Sequence, residues 1–158
     1  MKIRSHAALF GLSLFTIFAA SGWVPAHFAD EDKTMSAGDI RQALSDMGST
    51  VEEKKDEEGK TYFLVKTKDS NTFLLFQYGG KGDLCTSLSA SAPFNSKPDL
   101  KKMDAWNSST RFTKAYTGTE ETEILEADLD VSVAPNKAIV QKFLTMFNKA
   151  ITSYKNAD

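Results

Sequence analysis

Glu126, Asp128 and Asp130 are the first residues in this chain whose type and spacing could do chemistry. Apolar Leu125, Ala127, Leu129 and Val131 alternate with them. On a strand, side chains alternate with a period of two, so the three acids share one face, about 7 Å apart in successive pairs. A hard cation such as calcium favours clustered carboxylates, but it usually gathers about six to eight oxygens from a curved loop. A flat ladder converges badly on one point. Three readings stay open: a solvated outer face, a weak cation site, and an acidic surface that meets a partner. Paired carboxylates for glycoside hydrolysis would also need a sugar cleft rimmed by aromatics, and nothing in the sequence argues for one.

Upstream lies a second group: Trp106, Asn107, Arg111, Phe112 and Tyr116. The aromatics read as core or core-edge residues. The functional alternative is a patch of Arg and aromatics that binds a partner, the residue types enriched at interfaces. Arg111 could pair with a strand carboxylate such as Asp128, a surface pair contributing at most about 1 kcal/mol.

Other chemistry is constrained by absence. The two histidines are His6 and His27, so the chain from Asp30 onward has none. That removes the usual general base, the partner of Ser and Cys nucleophiles, and the commonest metal ligand. With a single cysteine as well, a zinc or copper site fits poorly. Cys85 can form no internal disulfide, and its alternating surroundings, LCTSLSA, suit a small buried hydrophobe. A reactive thiol would need exposure and a lowered pKa. Gly79-Gly80-Lys81-Gly82 lacks the spacing of a phosphate-binding loop and reads as a turn. The expectation is a protein without catalytic residues, cofactor or metal.

The chain has 158 residues, and its start differs from the rest. Lys2 and Arg4 precede a nearly unbroken apolar run from Ala7 to Ala20. A basic start, a short apolar core and small residues describe a secretory signal peptide. The run is shorter than the roughly 20 residues of a spanning helix, so no stable membrane insertion is expected after cleavage. Val24-Pro25-Ala26 allows a cut after Ala26; a cut after Ala29 is the alternative. Residues 1–26 are therefore read as the signal, 27–35 as a disordered lead-in and 36–155 as one domain, exported to the periplasm or beyond. Without Lys2 and Arg4 the chain keeps 17 basic and 21 acidic residues, a net charge of −4. Such a domain has no broad attraction for nucleic acid or anionic lipid.

Several elements must position the two candidate groups. Ser36 to Asp39 has the form of a helix cap, with Ile40, Ala43, Leu44 and Met47 on one helical face. Val51–Lys55, Thr61–Lys66, Thr72–Tyr78 and Asp83–Ala90 read as strands. Their short connections require antiparallel neighbours. Ser89–Lys97 reads as a loop. A second helix opens with Ser96 as cap and Pro98 in its first turn, and runs out near Asn107. Phe112–Thr117 and Glu123–Val133 form a hairpin around Gly118. Pro135 opens the longest helix, whose apolar Ile139, Val140, Phe143, Leu144, Phe147, Ile151 and Tyr154 recur at spacings of three and four. The order α-β-β-β-α-β-β-α, with three or four strands in the first run, predicts an α+β fold: one antiparallel sheet of five to six strands with helices on one face.

Trp106-Asn107, Arg111-Phe112, Ala115-Tyr116, the Leu125–Asp130 ladder and the long last helix occur in this order after the FLLFQY and LCTSLSA strands. In these residues the chain resembles the YbjN family, labelled bacterial sensory transduction regulators. The resemblance spans roughly Ser36 to Tyr154. It implies a fold similar to type III secretion chaperones, which often dimerise and bind other polypeptides, and it implies no enzyme activity. Many relatives look cytoplasmic, whereas this chain reads as exported. The expected function is binding of a protein or peptide in the cell envelope, in a regulatory or chaperone-like role. A homodimer is one possible state. Trp106, Asn107, Arg111, Phe112, Tyr116, Glu126, Asp128 and Asp130 are the candidate partner-binding residues. A periplasmic carrier of small apolar ligands is the alternative, since the 11 Phe could line a roomy interior.

Overall fold

The computed structural model describes residues 34–157. The signal peptide and its cut near Ala26 or Ala29 lie outside the described residues. The elements are β1 (Met35–Ser36), α1 (Ala37–Asp46), β2 (Thr50–Lys55), β3 (Thr61–Lys66), β4 (Thr72–Tyr78), β5 (Leu84–Cys85), β6 (Ser87–Phe94), α2 (Leu100–Ser109), β7 (Lys114–Thr117), β8 (Glu123–Asp130) and α3 (Lys137–Lys155), with a 3₁₀ turn at Thr119–Glu121. Six strands form one fully antiparallel sheet in the order β2-β3-β4-β6-β8-β7. Strands β1 and β5 make a separate two-stranded ribbon. The mixed α+β class and the six-stranded antiparallel sheet agree with the sequence; the β1–β5 ribbon is a second sheet that the sequence did not suggest. Four long strands separate α1 from α2.

Alternation sorts the sheet into two faces. Phe63, Val65, Phe73, Leu75, Leu88, Ala90, Ala92, Leu125 and Ala127 point inward and are buried. Ile40, Ala43 and Leu44 of α1, Met103 of α2, and Val140, Phe143, Leu144, Phe147, Ile151 and Tyr154 of α3 complete the same core. All three helices therefore lie on one side. Helix α3 packs on α1 and crosses β6 and β8, where Ala90, Ala92 and Ala127 leave room for its bulky side chains.

Three sequence expectations are corrected. Ser89–Phe94 is not a loop: it continues β6, paired residue for residue with β8 from Ser87↔Asp130 to Phe94↔Glu123. Ser and Ala have little strand propensity of their own, but pairing with β8 along the whole stretch, and with β4 as far as Ser91, overrides it. The cap of α2 is Asp99 rather than Ser96, its carboxylate accepting from the Lys101 and Lys102 amides. The Asp99 amide is itself held by the buried Glu123 carboxylate at 2.9 Å. Asn136 likewise caps α3. Pro98 thus sits one residue before its cap rather than in the first turn, and Pro135 likewise precedes the cap of α3. Ser36 caps α1 as expected.

Met35 is buried and pairs with Cys85 across the β1–β5 ribbon, so the packed structure includes this residue ahead of Ser36. Gly80, with φ of +74°, turns the chain into β5, and a Cβ there would lie 2.4 Å from the Leu84 carbonyl. Only glycine tolerates both the conformation and the approach.

Cys85 is fully buried. Burial, outweighing a backbone hydrogen bond involving Met35, pushes its thiol from about 9 up to about 11. The thiol should therefore resist alkylation in the native protein at pH 8 and react fully in denaturant. Between pH 9 and 11 the folded chain keeps this proton while the unfolded chain releases it. Stability from this group is thus complete below pH 9 and is lost as pH rises through that window, by on the order of 2 kcal/mol. Denaturation of wild type and Cys85→Ala at pH 8 and pH 11 checks this: the gap between them should shift against wild type at the higher pH. A constant gap, or ready native labelling, would contradict the buried placement.

Candidate binding face

Among the described residues, the outward side of the sheet carries no helix. Two rungs cross it. Lys54, Tyr62, Phe76, Ser89 and Asp128 are successive cross-strand partners from β2 to β8. Glu52, Leu64, Leu74, Ser91, Glu126 and Lys114 form the next, ending on β7. The face is thus apolar over β3 and β4, lined by serine on β6, and acidic on β8. Tyr62 and Phe76 stack with ring centroids 5.4 Å apart. Tyr62, Leu64, Leu74 and Phe76 are only partly buried, and Tyr78, at the end of β4, is exposed.

The acidic half contains most of the candidate residues. Arg111, Phe112, Lys114, Tyr116, Glu126, Ala127 and Asp128 line a shallow cleft of about 330 Å³. The Tyr116 hydroxyl donates a short hydrogen bond to Glu126. Ser89 Oγ donates to the other carboxylate oxygen of Glu126 at 3.4 Å. Partial burial, then this bond to Glu126, pushes the ionisation of Tyr116 well above its ordinary value, so the phenol stays neutral and a donor. Phe112 anchors the rim, its ring edge-on to Phe143 at 5.7 Å. Arg111 and Asp128 share the cleft, but no salt bridge joins them among the described residues.

Asp130 lies beyond the cleft. It accepts from both the hydroxyl and the amide of Ser132, which hold its carboxyl below the usual range. Glu126, Asp128 and Asp130 do share a face, as the alternation predicts. Among the described residues no group of three His, Cys, Asp or Glu side chains converges to hold a metal ion.

Trp106 and Asn107 have structural tasks. The Trp106 indole donates to Thr113 Oγ1 at 3.0 Å and packs edge-on to Tyr154 at 5.1 Å. Tyr154 also meets Phe94 and the ammonium of Lys102. The hydroxyl of Tyr154 is buried without a hydrogen bond of normal geometry; burial and the neighbouring Glu123 carboxylate raise its ionisation.

The Asn107 side chain donates to the Ala115 carbonyl and accepts from the Ala115 amide, both at 2.8 Å. It copies the pairing of one more strand residue and closes the outer edge of β7. Asn107→Ala should cost about 1–3 kcal/mol, the range for two neutral hydrogen bonds. Asn107→Asp should cost at least as much, because a carboxylate cannot donate to the Ala115 carbonyl. Chemical denaturation reads both, and hydrogen exchange should show Ala115 losing protection first.

The apolar half of this face, Tyr62, Leu64, Leu74 and Phe76, is not among the residues that the sequence singles out. A signal was present: TYFLVK and TFLLFQY are apolar on both strand faces, a pattern usual where both faces are covered. Here one is not.

Among the described residues the sheet carries α1, α2 and α3 on its back and an uncovered amphipathic front. The chain belongs to the YbjN family: the model of that family, described as "Putative bacterial sensory transduction regulator", matches residues 36–158. No curated protein and no solved structure gives a significant match.

Proposed function

We propose that this protein is a non-enzymatic module of the bacterial cell envelope that binds a protein or peptide on the open face of its sheet, in a regulatory or chaperone-like role. The observation that carries the reading is the face left uncovered among the described residues, with Tyr62, Leu64, Leu74 and Phe76 at one end and Glu126, Asp128 and Tyr116 at the other. Contiguous exposed apolar surface next to fixed polar groups marks interaction sites on soluble proteins. The fitting partner is an extended segment with apolar residues at one end and Lys or Arg at the other. An acidic face repels the phosphates of nucleic acid. Export rests on the Lys2–Ala26 segment and is checked by N-terminal sequencing of the mature chain; a retained Met1 in the envelope fraction would refute it.

The carrier reading needs an apolar chamber. Phe63, Phe73, Phe147 and Tyr154 fill the space behind the sheet and are fully buried, which favours the binding module. Native mass spectrometry separates the two, since a co-purifying lipid or metabolite would support a carrier. The test of the main reading is a photo-cross-linking amino acid at Phe76, compared with the same probe at exposed Leu100 on the helix side. Discrete polypeptide adducts at Phe76 alone are expected. Identical adducts at both positions, or none, would count against it.

A further inference from the structure

The two long edges of the sheet are not equivalent. The β7 edge is occupied by the Asn107 amide. On the opposite edge, β2 pairs only with β3, and no other strand joins it among the described residues. The Asp56 amide donates to the Lys60 carbonyl, so Lys54, Glu52 and Thr50 take the hydrogen-bonded positions facing β3. The main-chain groups of Val51, Glu53 and Lys55 therefore point out of the free edge.

We infer that β2 is a self-association edge whose occupant is the β2 strand of a second copy, paired antiparallel about a twofold axis through Glu53. Outward-facing residues must meet outward-facing residues across such a ladder, which restricts the register. With Glu53 at the centre, Glu52 stands opposite Lys54 of the second copy, and Lys54 opposite its Glu52. These are non-hydrogen-bonded pairs, the type whose side chains approach most closely. The two Glu53 side chains meet on the other face of the sheet, where each is already paired with its own Arg41. Charge on an edge strand commonly serves to block pairing; here the order Glu-Glu-Lys-Lys is self-complementary instead. A register shifted by one step would set Lys54 against Lys54 and Glu52 against Asp56. The joined sheet would also bring the apolar ends of two open faces side by side. This inference is independent of the polypeptide-binding reading and uses a different edge of the molecule.

A six-residue strand makes a small interface, so a reversible dimer is expected. Sedimentation velocity of the purified protein over a range of concentrations should show monomer passing to dimer. Glu52→Lys alone sets lysines against lysines, and Lys54→Glu alone sets glutamates against glutamates. Each should weaken association about tenfold or more while leaving the circular dichroism spectrum unchanged. Mixed together, the two variants should form a heterodimer, because each Lys then faces a Glu of the other copy. The mixture leaves the neighbouring Glu52–Lys54 pair within each chain broken, so its recovery reports the contact between copies. A monomer at every concentration, single variants as dimeric as wild type, or a mixture that stays monomeric would each overturn the inference.

Discussion

Phe147→Ala is expected to remove about 3–5 kcal/mol of stability, the largest effect of any substitution considered. Phe147 is fully buried at the centre of α3. Its ring meets Phe73 of β4 edge-on at 5.4 Å and lies parallel to Phe143 at 6.5 Å. Truncation therefore removes contacts to the sheet and to the next turn of the helix, and leaves a void that rigid aromatic neighbours cannot close. Domains of this size hold about 5–15 kcal/mol in total, so the variant should melt more than about 10 °C below wild type. Phe147→Leu keeps most of the volume and should cost far less. Equal melting of the alanine variant and wild type would show that α3 is not packed on the sheet as described.

Asn71→Leu should cost about 2–4 kcal/mol. Asn71 is a buried polar residue in the turn after β3. Its amide nitrogen donates to Asn148 Oδ1 at 2.8 Å and Thr152 Oγ1 at 3.0 Å, and its oxygen accepts from the Lys155 ammonium at 2.7 Å. Thr67 donates to the same Asn148 oxygen, and Asn148 donates onward to Asp69. The cluster clasps the β3–β4 turn to the last turns of α3. Leucine would lose three bonds, one of them charge-assisted, and would leave Asn148 without its main donor. Exposed Lys155 can return to water, which limits the cost. Urea denaturation reads the loss. Proteolysis near the C-terminus should also rise, as the end of α3 is released from the turn.

That clasp was invisible in the sequence. Asn71 and Asn148 are 77 positions apart, and neither stands in a motif. Helix α3 was legible because seven apolar residues repeat at helical spacing, a pattern set by local geometry. Strands β3 and β4 were legible for the same kind of reason, being rich in aromatic and β-branched residues. The second half of β6, with its Ser and Ala, was not, because its neighbours impose the strand.

The candidate site was half legible. Alternation placed Glu126, Asp128 and Asp130 on one face, and Arg111, Phe112 and Tyr116 do gather beside the first two. Trp106 and Asn107 belong to the support of β7, a role that depends on where Thr113 and Ala115 fall in space. The apolar half of the face was signalled by two strands apolar on both sides, but that it is open followed only from α1, α2 and α3 lying on the other side.

Peptide-library selection on immobilised protein, wild type against Leu64→Lys with Phe76→Lys, shows directly whether the open face binds polypeptide. Both positions are on the open face and outside the core, so the double variant should keep its circular dichroism spectrum and most of its melting temperature. Wild type should enrich peptides joining apolar residues to Lys or Arg, and these peptides should lose measurable binding to the variant. Selected peptides that bind the folded variant as tightly as wild type would contradict binding at the open face.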